Sequence, residues 1–121
     1  MPKKICILED DADIREVITL VLEGEDYEVY AFSDVSSFMA RKIVNEPDLY
    51  LLDIRLPDGN GLEVCKFLRS GEKTGHIPII MMSAHERIEQ MKLQCTADDF
   101  IAKPFDIYQL LGRVNQALLA N

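Results

Sequence analysis

Four polar positions in this 121-residue chain carry the residue types that chemistry needs, and each directly follows a short apolar run. Glu9-Asp10-Asp11 follow Ile5-Cys6-Ile7-Leu8, Asp53 follows Tyr50-Leu51-Leu52, Ser83 follows Ile79-Ile80-Met81-Met82, and Lys103 follows Asp99-Phe100-Ile101-Ala102. Glu9, Asp10 and Asp53 would gather up to three negative charges, which repel one another and raise at least one pKa unless a cation intervenes. All-oxygen surroundings of this kind suit a hard divalent ion such as Mg²⁺, which keeps waters and uses one or two carboxylates. For a phosphoryl ligand, Asp53 needs no general base, because an aspartate with its usual pKa near ~3.9 is already ionised. A divalent ion shared by carboxylate and phosphoryl oxygens would relieve the repulsion between the two anions. Lys103 would add a point charge, and the Ser83 hydroxyl would donate to a further phosphoryl oxygen. Taken singly, Ser83 reads as a turn residue, Lys103 as a solvated cation, and Asp11 and Asp13 as an acidic helix start favoured by the helix dipole. The convergence of four strand ends favours the chemical reading for Glu9, Asp10, Asp53, Ser83 and Lys103.

The elements that must position these residues follow from periodicity. Continuous apolar runs at 5–8, 50–52 and 77–82, with a further short stretch at 99–102, predict strands, that at 50–52 buried on both faces, and "EVYAF" (28–32) predicts another. Between them lie helical patterns. Ile14, Val17, Ile18, Val21 and Leu22 form one face; Val35, Phe38, Met39 and Ile43 form a second, capped by Asp34 and stopped by Pro47. Leu62, Cys65 and Leu68 mark a third helix ending near Ser70-Gly71, Ile88 and Met91 a weaker fourth, and Ile107 to Leu118 a last one capped by Asp106. Strict alternation of strand and helix predicts a parallel sheet with helices on both faces and a ligand site at the carboxyl ends of the strands. The Pro57-Asp58-Gly59-Asn60-Gly61 loop is expected to let backbone approach a metal and phosphate closely.

Composition bounds the function. With 48% hydrophobic residues the chain can form one core, and 21 acidic against 13 basic residues leave a net charge of −8. That balance argues against direct binding to nucleic acid or to anionic membrane, and for basic or cationic partners. Cys6, Cys65 and Cys95 have no metal-type spacing and read as core thiols in a reducing compartment. Neither a secretory signal nor a membrane-spanning run is visible, so the expected location is the cytoplasm.

The stretches "KICILEDDADIREVI" (4–18), "PDLYLLDIRLPDGNGLEVCKFLR" (47–69), "IPIIMMSA" (77–84) and "ADDFIAKPF" (97–105) together resemble the receiver domains of two-component response regulators over essentially the whole chain. The resemblance implies one domain over residues 1–121, a flavodoxin-like (βα)5 sandwich with a parallel sheet of order 2-1-3-4-5. It implies that Asp53 accepts phosphate from a phosphohistidine of a histidine kinase or histidine phosphotransfer protein. Glu9, Asp10, Asp53 and the main-chain carbonyl of Arg55 would hold Mg²⁺. Ser83 and Lys103 would contact the phosphoryl group, and Ser83 and Phe100 would be the switch pair, biasing two packings of the domain. Lys103-Pro104 matches the family's usual cis peptide. Such a domain is a signalling switch rather than an enzyme, catalysing only its own phosphoryl transfer and autodephosphorylation. Its output partner or output domain is not named by the sequence.

Some residues depart from the family pattern. The stretch between Ser83 and Phe100 is short, and "LQCTADDF" (93–100) replaces a more usual Ala-Gly-Ala element. This sets apart the surface of the fourth helix, fifth strand and last helix, through which a phosphorylation-dependent homodimer would form. Arg55 and His85 each lie two residues beyond a key position, Asp53 and Ser83. They are expected either to flank the phosphoryl group and tune its lifetime by restricting or orienting water, or simply to face solvent. His76 reads as a surface loop residue. Two rival classes are weaker. A haloacid-dehalogenase-like phosphatase needs a second Asp two residues after the nucleophile, where this chain has Arg55. A pseudo-receiver generally lacks an acid, the acceptor or the lysine, and this chain has all of them.

Overall fold

The computed structural model describes residues 2–41, 46–84, 92 and 95–119. Among them the chain runs β1 (Lys4–Leu8), α1 (Ala12–Gly24), β2 (Glu28–Phe32), α2 (Val35–Met39), β3 (Leu49–Asp53), β4 (Arg55–Leu56), β5 (Gly59–Asn60), α3 (Gly61–Ser70), β6 (Ile79–Ala84), β7 (Asp99–Lys103) and α4 (Ile107–Leu119). The main sheet has order β2-β1-β3-β6-β7 with every pairing parallel. Counting only its five strands, this is the expected 2-1-3-4-5 order.

The apolar runs are continuous because both faces of the sheet are covered. Ile5, Ile7, Leu49, Leu51, Ile80, Met82 and Ile101 pack with Ile18 and Leu22 of α1 and Leu110 and Val114 of α4. Their neighbours Cys6, Leu8, Tyr50, Leu52, Ile79 and Met81 pack on the opposite face, with Phe38 of α2 and Leu62, Cys65 and Leu68 of α3. Period-two alternation assigns each residue to its layer, and full burial of each Leu or Ile contributes roughly 1.5–3 kcal/mol. All five residues of β3 are buried, so the central strand is the most rigid support available for what lies at its end.

Helix starts follow the expected chemistry. The Asp11 carboxylate accepts from the amides of Asp13 and Ile14, the Asp34 carboxylate from Ser37, and the Asn60 side chain from Leu62. The three cysteines are buried and free, and His76 is exposed.

Several expectations are corrected. The segment after Asp53 is a two-residue antiparallel hairpin, β4–β5, rather than a plain loop. None of its glycines has positive φ. Gly61 is required for another reason: a Cβ there would lie 1.9 Å from the carbonyl oxygen of Asp53. The fourth strand of the main sheet starts at Ile79 rather than Ile77, since Pro78 has no N–H for the ladder and offers only its carbonyl, to the amide of Tyr50. Helix α2 ends at Met39 with Ala40 as its C-cap, and the described Arg41 is already outside it, so the helix stops short of the expected Ile43. Ile43 itself, and the expected fourth helix at Ile88 and Met91, lie outside the described residues.

Candidate functional site

Strand register assembles the site. Leu8 pairs with Leu52 across β1 and β3, so the next residues, Glu9 and Asp53, leave the sheet side by side. Strand order reverses between these two strands, where open α/β sheets bind ligands. Asp53 pairs with Met82, and Ser83 follows. Ser83 pairs with Ala102, and Lys103 follows. Sequence-distant polar residues thus share one edge.

The charges there do not balance. Glu9 is fully buried and Asp53 is 5% exposed. Lys103 Nζ lies 2.5 Å from Glu9 Oε1 and 3.2 Å from Asp53 Oδ2. One ammonium thus serves two buried carboxylates, and the surplus negative charge has little water to stabilise it. Burial, then the Glu9 charge and its hydrogen bond, push the Asp53 pKa from 3.8 up to about 7, with Lys103 opposing. Burial of the Lys103 ammonium works downward, but its hydrogen bond to Glu9 and the Asp53 charge outweigh it and hold its pKa above the ordinary value. Asp53 is therefore not simply ionised at neutral pH, as its residue type had suggested. Its tertiary surroundings make the proton hard to remove.

The exposed Asp10 completes the acidic set: ligand oxygens of Glu9, Asp10 and Asp53 all lie within 4.8 Å of one another. The donor set is all oxygen, two of its members are buried, and one carboxylate is charged only at a cost. Those properties fit a divalent cation.

The remaining expected residues fall as follows. Arg55, in β4, exposes its side chain. Ser83 is 2% exposed. Phe100, in β7, is half-buried against the α2–α3 core layer, with its carbonyl accepting from Arg113 Nη1 at 3.1 Å. The Lys103-Pro104 peptide is cis. His85 lies outside the described residues. The structure therefore brings Glu9, Asp10, Asp53 and Lys103 together, with Ser83 on the same edge.

Two contributors went unread in the sequence. The Asp58 carboxylate accepts from the amides of Val35 (2.7 Å) and Ser36 (2.9 Å), tying the loop after Asp53 to the start of α2. No local pattern announces a contact across 23 residues. Arg15 Nη1 donates to the carbonyl of Glu9 at 2.8 Å, and its spacing from Asp11, one helical turn, was a signal that could have been used.

The model of the response regulator receiver domain matches residues 5–115. The chain belongs to that family. It is a phosphorylatable receiver domain of the two-component response regulators. It is 37% identical over 121 residues to the DNA-binding dual master transcriptional regulator RpaA of Synechocystis sp., covering 98% of this chain and 49% of that protein. It is 35% identical over 123 residues to the DNA-binding response regulator MtrA of Mycolicibacterium paratuberculosis, covering 100% of this chain and 53% of that protein. A crystal structure of a putative response regulator from Chloroflexus aurantiacus superposes with a TM-score of 0.90 at 31% identity, covering 98% of this chain and 99% of that one.

This receiver domain spans about half the length of the curated relatives it matches. The expectation that the acidic balance excludes a nucleic-acid partner is corrected by them, since both relatives are named as DNA-binding. Net charge reports the surface of one domain and does not speak for a longer chain in which it is joined to others. Among the described residues, no helix is long and apolar enough to cross a membrane.

Proposed function

We propose that Asp53 is the phosphoacceptor of a single receiver domain spanning residues 1–121, charged by a phosphohistidine of a histidine kinase or phosphotransfer protein. The observation that carries this reading is the position of the Asp53 carboxylate: it ends a wholly buried strand at the reversal of strand order, beside Glu9 and 3.2 Å from Lys103. In the transfer, an Asp53 oxygen forms the O–P bond as the P–N bond breaks, and the imidazole nitrogen keeps the electron pair. Glu9, Asp10, Asp53 and the Arg55 carbonyl would hold Mg²⁺, which when bound offsets the repulsion between carboxylate and phosphoryl group. Lys103, now shared between two carboxylates, would contact a phosphoryl oxygen, and the Ser83 hydroxyl another. With Ser83 drawn to the phosphoryl group, Phe100 repacks inward. Lacking a hydroxyl, it switches by packing alone. Arg55 and His85 tune the lifetime of the acyl phosphate; unchanged decay in both Arg55→Asn and His85→Glu would sink that part.

The domain acts as a switch, catalysing only its own phosphorylation and dephosphorylation. The names of the relatives make a DNA-binding output the class we favour for the pathway it serves. Its free buried thiols suit the reducing cytoplasm. The deciding experiment is incubation with Mg²⁺ and acetyl phosphate followed by intact-mass spectrometry. A phosphoryl adduct is expected in the wild type and none in Asp53→Asn. An adduct that survives the substitution would refute the assignment.

A further inference from the structure

Arg15 stands in a position that simple electrostatics disfavours. It is the fourth residue of α1, near the helix's positive end, where a cation is destabilising unless something compensates. Its compensation is unusual. The backbone amide of Arg15 donates to the Asp11 carbonyl at 2.9 Å. Its Nη1 donates to the Glu9 carbonyl at 2.8 Å and, more weakly, to the Asp10 carbonyl at 3.4 Å. The side chain thus holds two consecutive main-chain carbonyls, those of Glu9 and Asp10, while the Asp11 bond is the ordinary first backbone bond of the helix. This occurs just where β1 stops: the Glu9 amide still bonds Phe32 of β2, but beyond it the chain leaves the ladder. The Glu9 carboxylate is held separately, by Lys103 through Oε1 and by the Asp11 amide through Oε2 at 3.0 Å. The Arg15 contacts use only carbonyls, so Arg15 itself occupies no carboxylate oxygen.

We propose that Arg15 is a positioning residue for the cation site, its Nη1 holding the Glu9 and Asp10 carbonyls so that the carboxylates of those two residues are presented together. The inference rests on the metal reading of these acids given above. It makes a prediction opposite in sign to the charge effect. Arg15 is a positive charge beside a cation site, so charge alone would have its removal tighten Mg²⁺ binding. If positioning dominates, its removal weakens binding, as loss of a supporting partner around a metal site does by roughly ten-fold or more.

The test is calorimetric titration of Mg²⁺ into the unphosphorylated wild type, Arg15→Ala and Arg15→Lys. Arg15→Ala is expected to bind roughly ten-fold more weakly. Arg15→Lys should fall between it and the wild type, because an ammonium keeps the charge without the rigid fork. Hydrogen exchange at the amides of Asp10 and Asp11 should speed up in both variants, while exchange along β3 stays as in the wild type. Should Arg15→Ala fail to fold, Arg15→Lys carries the same comparison. Equal or tighter Mg²⁺ binding in the variants overturns the positioning role and leaves the metal site standing. A wild type that takes up no Mg²⁺ overturns the metal reading and this inference with it.

Discussion

The two ends of the sheet treat charge in opposite ways. At the amino-terminal end, Arg69 of α3 donates to the carbonyls of Thr96 (2.9 Å), Gly75 (3.2 Å) and Ile77 (2.7 Å) and pairs with Asp98, whose Oδ2 also accepts from the Ile79 amide at 2.8 Å. Nearby, Arg41 lies 4.4 Å over the Phe38 ring and 3.1 Å from Glu46, whose Oε1 also accepts from the Tyr50 hydroxyl at 3.0 Å. Each cation there has its own carboxylate and several neutral acceptors. At the carboxyl-terminal end, a single Lys103 is divided between Glu9 and Asp53. The first end spends its polar contacts on joining α3, β6 and β7. The second keeps an unbalanced charge in a dry place. Balance marks the end that holds the fold together, and imbalance marks the end that is built to receive something.

Substitutions can break that contrast, and the largest effect belongs to Gly61→Ala. The new methyl would meet the Asp53 carbonyl oxygen at 1.9 Å, so backbone must move. A loss of about 3 kcal/mol or more is expected in urea unfolding, with phosphorylation by acetyl phosphate impaired as well. A near-neutral result would mean the acceptor loop is softer than the ladder that supports it. Next is Arg69→Ala at the balanced end, which strands three carbonyls and Asp98. A cost of roughly 2–3 kcal/mol is expected, with Mg²⁺ binding little changed. If Mg²⁺ affinity falls in step with stability, the two ends are not separable.

Asp53→Asn sharpens the comparison in the other direction. Burial raises the Asp53 pKa from 3.8 to about 7, so the native state holds its proton more tightly than the unfolded chain. The stabilisation from that proton is complete below pH 3.8 and is lost as pH rises through 7. In Mg²⁺-free buffer, Asn should therefore match the wild type near pH 4 and exceed it at pH 8 by on the order of 2 kcal/mol. The measurement is the difference between the two stability curves across that range. A variant that is less stable at pH 8 would show that Lys103 already compensates the buried charge. The smallest effect is reserved for Lys66→Ala. The Lys66–Glu63 pair, at 3.4 Å, is exposed on both sides, and thermal unfolding should shift by less than about 0.5 kcal/mol.

The contrast also explains what could be read in advance. The acidic triplet, Asp53, Ser83 and Lys103 were legible because each ends an apolar run, and parallel βα alternation sends all such ends to one edge. Asp34 and Asp106 were legible as caps because capping is local. The β4–β5 hairpin was not, because two-residue strands carry no period. Asp58 escaped for the same reason as the tie from Arg69 to Thr96 and Asp98: these partners lie 22 to 29 residues away. The acidic net charge was misread as a statement about nucleic acid, a question for which relatives twice as long hold the answer.

What the amino-acid order determined by itself was the alternation of elements, the two-sided burial of the strands and the kinds of side chain at their tips. Those depend on hydrophobic periodicity and local hydrogen bonding, which neighbours along the chain supply. Only the tertiary structure decided that Lys103 serves Glu9 and Asp53 at once and that Asp53 resists ionisation. These depend on distance and on exclusion of water, which exist only once strands remote in sequence lie side by side.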